Sequence, residues 1–330
     1  MTSIWYGPPR CAWPLWPLSG LYALGAALHR LPYRLGWRKA ARLPVPVIVV
    51  GNLTVGGTGK TPLVIHLARA LAAQGERPGI LCRGYGGRVR RWPQRVTPAS
   101  DPVEVGDEPV LIAQRTGLPV AAGPSRARAG QLLLDAGCTV LLTDDGLQHH
   151  ALARDMEIAV VDGARGLGNG LLLPAGPLRE SARRLERVDA VVVQGEGFTP
   201  AHAATFRMTL PLSEVVDLAT RQERRPLADF AGEAVHALAG IGHPRRFFDA
   251  LRAAGLRVVE HPFPDHYDYR PQDLVFAAAG PIFMTEKDAV KCARLNPPNA
   301  WVAPVEAQLT PDLADWVRTR LRHRDHTKDD

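Results

Sequence analysis

The chain has 330 residues, 46% of them hydrophobic and 22% charged, which excludes a wholly disordered protein and suggests two domains or one large one. Its four cysteines (Cys11, Cys82, Cys138, Cys292) are far apart and form no C-x-x-C pair, so neither a zinc site nor a disulfide framework is expected, and a reducing cytosol fits. A net charge of +7 points to an anionic partner: a nucleotide, a phosphorylated substrate, nucleic acid or an acidic membrane face.

Residues 1–42 form the first predicted element, an N-terminal amphipathic, membrane-associating helical segment. No Asp or Glu precedes Glu76, while Arg10, Arg30, Arg34, Arg38, Lys39 and Arg42 crowd the start. Residues 11–28 are apolar and uncharged but interrupted by Pro14, Pro17, Gly20 and Gly25, marginal against the roughly 20 residues needed to span a bilayer. Trp5, Trp13, Trp16 and Trp37 lie here, and such rings favour the headgroup level. Leu21, Leu24, Leu28, Leu31 and Leu35 recur at helical spacing beside Arg30, Arg34 and Arg38, with Pro32 expected to break or kink the helix. A helix with an apolar stripe and a basic face is suited to the membrane interface and anionic lipid. A core helix pair, and a spanning or cleaved segment, stay open as alternatives.

Residues 43–195 read as a nucleotide-binding core. The β-branched run 45–50 predicts a buried strand, and residues 62–73 predict an amphipathic helix with Pro62 in its first turn. Between them lies GNLTVGGTGKT, residues 51–61. Strand, glycine loop and helix together make a phosphate loop. Thr54, Val55, Gly56, Gly57, Thr58, Gly59, Lys60 and Thr61 are the candidate nucleotide-binding residues. The glycines let backbone amides approach phosphate oxygens, Lys60 places a charge on the β- and γ-phosphates, and Thr61 can ligate Mg2+. The general pattern wants glycine where Thr54 stands.

The apolar run from Thr139 ends in Asp144 and Asp145, as a metal-holding strand of such proteins does. Expected strands (79–82, 118–121, 156–162, 188–194) alternate with helices (108–115, 126–136), which implies an α/β fold: a P-loop NTPase-type, doubly wound, mostly parallel sheet. Residues 196–234 show no clear periodicity and are expected as a linker or excursion. Residues 235–322 form a smaller C-terminal α/β unit with strands at 235–239, 257–260 and 281–284 and a helix at 245–254. Residues 323–330 are a polar tail.

The ordered set GNLTVGGTGKTP (51–62), RGYGG (83–87), GDEP (106–109), TDDGLQH (143–149), DGARGLGNGLLLPAGPLRE (162–180), GIGHPRRFF (240–248), FPDHY (263–267) and TEKDAVK (285–291) resembles the tetraacyldisaccharide 4'-kinase family of lipid A biosynthesis over nearly the whole length. Thr54 is itself similar to that family's pattern. The resemblance implies transfer of the γ-phosphate of ATP, with Mg2+, to the 4'-hydroxyl of a tetraacyldisaccharide 1-phosphate at the cytoplasmic face of the inner membrane. It makes Asp107 the first choice for the base and His266 its partner, the second unit closing over the nucleotide to bring them together. Asp145 and Glu180 are further candidates for Mg2+ or its waters, with Arg183 or Arg184 as plain partners for Glu180. Arg83 and Arg179 could hold substrate phosphate. His149 and His150 lack a third ligand and are taken as structural, and Glu286 and Lys287 have no assigned role.

The main alternative is a P-loop GTPase or ATPase delivering cargo at the membrane, but no N-K-x-D guanine-reading stretch occurs. A nucleic-acid partner has no motif to support it, and no obligate protein partner is evident.

Overall fold

The computed structural model describes residues 2–326; the last four residues of the expected polar tail lie outside the described residues. Helix α1 (Thr2–Trp5), a 3-10 segment (Pro9–Leu15) and helix α2 (Trp16–Arg34) open the chain. Strands β1 (Val47–Gly51), β2 (Pro78–Cys82), β3 (Gln94–Val96), β4 (Val120–Ala122), β5 (Val140–Thr143), β6 (Met156–Asp162), β7 (Ala190–Gln194) and β8 (Thr205–Thr209) follow. Helices α3 (Lys60–Ala73), α4 (Pro102–Val105), α5 (Asp107–Thr116) and α6 (Arg126–Asp135) lie between them. The second half holds β9 (Glu214–Asp217), β10 (Arg224–Pro226), β11 (Ala234–Ala239), α7 (Pro244–Ala253), β12 (Arg257–Pro262), β13 (Ile282–Thr285), α8 (Glu286–Cys292) and β14 (Ala300–Ala303), then β15 (Gln308–Thr310) and α9 (Leu313–His326).

Among the described residues two sheets form. The larger has the order β15-β8-β7-β6-β1-β5-β2-β4-β3, parallel except at its two edges, where β3 runs against β4 and β15 against β8. β1 shows how it is buried. Ile48 and Val50 face α3 and its Leu63, Leu67 and Leu71, while Val47 and Val49 face the other layer with Leu133 of α6. Side chains alternate across a strand, so helices on both faces require apolar residues at every position.

The smaller sheet has the order β10-β9-β14-β13-β11-β12, parallel except where β9 pairs with β10 and β14. Its core is aromatic: Phe283, fully buried, meets Phe230 edge-on at 5.0 Å between ring centres. Phe283→Ala should therefore cost about 3–5 kcal/mol, read as a lower urea midpoint at an unchanged slope.

Three expectations change. Residues 196–234, expected as a linker or excursion, contain β8, β9 and β10, their short alternating runs being too brief to show a period. The C-terminus does not stay in the second unit: β15 pairs with β8, and α9 packs Leu313, Ala314 and Val317 into the core of the first sheet. Pro32 does not break α2, which runs on to Arg34: the one bond forgone is that to the Leu28 carbonyl, close to the end of the helix.

Helix α2 has no buried residue. Leu21, Leu24, Leu28, Trp13 and Trp16 are all at least half exposed. It docks on the 162–180 loop through polar contacts: Ser19 Oγ donates to the Leu172 carbonyl (2.9 Å), Tyr22 to the Arg179 carbonyl (3.1 Å) and Arg30 to Glu180 (2.9 Å). Among the described residues no helix is long and apolar enough to cross a membrane.

Candidate active site

β1 and β5 are neighbours and parallel, with Val49 opposite Thr143. Their carboxyl ends therefore deliver the phosphate loop and Asp144 side by side, where ligands collect in open α/β sheets. The loop is tied from several directions. Val55 N–H donates to the Pro177 carbonyl (2.9 Å), Thr54 bridges to Leu178, and Asn52 Nδ2 donates to the Gly56 carbonyl (3.2 Å). Gly59 caps α3 at φ +89°, a conformation that L side chains rarely adopt, and a Cβ there would press on Met208 at 2.9 Å. Lys60 and Thr61 then open the helix, whose first N–H groups have no partners within it. The second unit covers this loop, its Gly242 so close that a Cβ would lie 3.0 Å from Gly57 N.

Thr61 Oγ1 donates to Asp144 Oδ2 at 2.9 Å, so the two expected metal ligands meet. Asp144 is 4% exposed and its Oδ1 has no partner; the buried hydroxyl of Thr58 is likewise unpaired. Burial, with Glu108 and Asp145 adding repulsion, pushes the Asp144 carboxyl up to about 7 against the pull of Lys60 and Thr61. A buried carboxylate with an unused oxygen beside a hydroxyl fits Mg2+, which takes few protein ligands and completes its shell with water and phosphate.

Asp145, at φ +53°, faces Arg179 (3.0 Å) and Lys60 (3.7 Å). Burial raises its pKa, but Lys60 and Arg179 outweigh this and hold it below the usual carboxylate range. Glu180 is placed differently from expectation. It is 3% exposed and engaged by Arg30 (2.9 Å), Gln148 (3.0 Å) and Arg184 (3.7 Å), so its charge is already matched and the geometry does not support it as a metal ligand. Arg83 is exposed, near enough to Arg126 and His149 to depress the pKa of both. Burial, with arginines nearby, lowers His149 and His150 to about 4, so both rings are neutral at physiological pH.

Asp107 is the first residue of α5, with Gly106 rather than Asp107 at the cap, and is 5% exposed. Its Oδ1 accepts the Glu108 N–H (2.9 Å) and its Oδ2 lies 3.1 Å from His266 Nδ1. The two units thus meet at this pair in the structure. Burial raises the Asp107 pKa, but the His266 hydrogen bond and the charges of Lys287 and Lys291 more than offset it, leaving the carboxyl below its ordinary value and ionised. The Asp107 hydrogen bond raises His266, against burial and Lys287.

Sequence reasoning gave no role to Glu108, Lys287, Lys291 or Gln148, all of which contact the residues above. The available signal was Lys287 and Lys291 at i and i+4, one turn apart in TEKDAVK. Glu286, also unassigned, pairs with Arg115 and accepts the Val305 N–H (3.2 Å), joining the two units away from the phosphate loop.

A family model described as tetraacyldisaccharide-1-P 4'-kinase matches residues 11–322. The tetraacyldisaccharide 4'-kinase of Alkalilimnicola ehrlichii is 54% identical over 95% of this chain and 94% of its own length, and that of Nitrosococcus oceani 49% over 96% and 93%. An LpxK from Aquifex aeolicus, crystallised in complex with ATP, superposes with a TM-score of 0.77 at 31% identity, covering 95% of this chain and 99% of its own. Phosphate loop, strand-end carboxylate and full-length similarity agree, and the chain belongs to the tetraacyldisaccharide-1-phosphate 4'-kinase family.

Proposed function

We propose that this chain transfers the γ-phosphoryl group of ATP to the 4'-hydroxyl of a tetraacyldisaccharide 1-phosphate, yielding a lipid IVA-type precursor of lipid A. The observation that carries the reading is the junction of the two units: an ionised Asp107 on α5, held by His266, beside a family-type phosphate loop.

In this reading Asp107 takes the proton of the 4'-hydroxyl as its oxygen bonds to the γ-phosphorus and ADP leaves with the bridging oxygen. Lys60 and the loop amides from Thr54 to Thr61 hold the triphosphate. Thr61 and Asp144 would hold Mg2+, which when bound neutralises phosphate charge. Arg179 orients Asp145 through their 3.0 Å ion pair. His266 orients Asp107. The test is mass spectrometry of a reaction containing ATP, Mg2+ and the purified lipid acceptor. One added phosphate on the disaccharide is expected. ATP turnover that is equal with and without lipid would favour the cargo ATPase alternative and sink the kinase reading.

The membrane assignment is part of this proposal. Exposed leucines and Trp16 on α2 and exposed Trp13 just before it, with Arg30, Arg34 and Arg38 nearby, support a peripheral seat on anionic lipid at the cytoplasmic face of the inner membrane. Co-sedimentation with vesicles should rise with anionic lipid and fall with salt, each basic residue near the surface being worth about 1 kcal/mol. Replacing Arg34 and Arg38 together by Gln should weaken it about tenfold or more. Binding that ignores both lipid charge and salt would refute the electrostatic seat.

A further inference from the structure

Lys287 stands at the start of α8, 16% exposed, where the second unit meets α5. Its ammonium has three N–H groups, and three acceptors surround it: Glu108 Oε1 at 3.1 Å, Asp265 Oδ1 at 3.1 Å and His266 Nε2 at 3.2 Å. An ammonium donates and never accepts. The ring nitrogen it faces must therefore offer a lone pair, which leaves the single ring proton on Nδ1, pointing at Asp107 Oδ2.

We propose that Lys287 is a positioning residue that sets the tautomer and protonation state of His266, so that the imidazole acts as a neutral Nδ1–H donor to Asp107. This deepens the kinase reading and rests on it. If His266 took a second proton, an Nε2–H would face the ammonium and one donor would lose its acceptor. His266 then orients the base and does not itself receive the hydroxyl proton.

The surroundings of His266 are mixed in sign. Asp107 and Glu108 face it from α5, Asp265 and Asp268 from its own loop, and Lys287 and Lys291 from α8. Tyr85 lies tilted against its ring at 5.0 Å between ring centres, and Arg88 and Arg294 line the same cavity. His266 also sits at φ +61°, in the left-handed region, so its backbone gains from a ring held on both sides. Asp107 draws a proton towards the ring and Lys287 opposes it.

The test uses the full-length protein without substrate. Long-range proton–nitrogen NMR of the His266 ring, assigned by the signal missing in His266→Gln, should show the proton on Nδ1 once the pH is above the ring's titration. Lys287→Met should raise the titration midpoint by about one unit or more, and Lys287→Arg should return much of the shift. The acid limb of the kcat–pH profile should move up with it, while KM for ATP stays put. A merely structural lysine would lower kcat equally at every pH. A proton on Nε2 in the unmodified protein, or an unmoved midpoint in a folded Lys287→Met, would overturn the proposal. A midpoint that moves without the rate limb supports the lysine's hold on His266 and counts instead against Asp107 as the base.

Discussion

Asp107→Asn should lower kcat by roughly a thousandfold, within the 10²–10⁴ range expected for a positioned base, with little change in KM for ATP. The amide keeps the shape of the side chain and still accepts from Glu108 N–H, but it cannot take a proton. Stability should respond with a defined sign. The Asp107 pKa is lowered in the folded protein, so the stability it contributes is present above the unfolded value, near 3.8, and is lost as pH falls through the folded value. The Tm gap between the two proteins should therefore shrink on acidification below pH 4. A variant with full kcat would remove Asp107 from the reaction.

The second large effect concerns Asp144. Asp144→Asn should lower kcat by about 10²-fold or more, the scale seen when one preorganised charge-stabilising group is lost. It should also abolish the rise in Tm that Mg2+ with nucleotide gives the parent, since a ligand stabilises only the state that binds it. Here the carboxylate is buried with an unused oxygen, so the neutral amide is easier to bury and the metal-free variant should be no less stable than the parent. A variant that keeps its Mg2+-dependent stabilisation would move the metal elsewhere. Lys60→Ala should lose activity on a similar scale through a different contact, the charge on the transferring phosphate.

Much of this was legible from the chain itself. Val47 to Val50 are apolar at every position because both faces of β1 are covered, and the run is followed at once by the glycine loop. Met156–Asp162 was readable to the residue from its apolar Ile158–Val161 stretch. The partnership of Asp107 and His266 was stated from resemblance, and 159 residues separate them, so no local pattern could have shown it. β15 and α9 escaped notice because their partners, β8 and α3, lie far back in the chain. Glu180 looked like a spare acid near the site, and only the fold reveals Arg30, from the N-terminal helix, as its counter-charge. The start of α6 at Arg126, capped by Ser125, was read to the residue.

The antiparallel pairing of β8 with β15 bears on how the protein is made. The polypeptide leaves the large sheet after Thr209 and rejoins it at Gln308, so the whole smaller sheet is spliced into the larger one. A ribosome must therefore release Leu313 to Val317 before the nucleotide-binding half has its complete interior. The inserted half has its own hydrophobic centre and can condense earlier, while β8 waits with one edge bare. During synthesis the later-made half is thus free to form first, and the half that begins at the N-terminus is the last to be sealed.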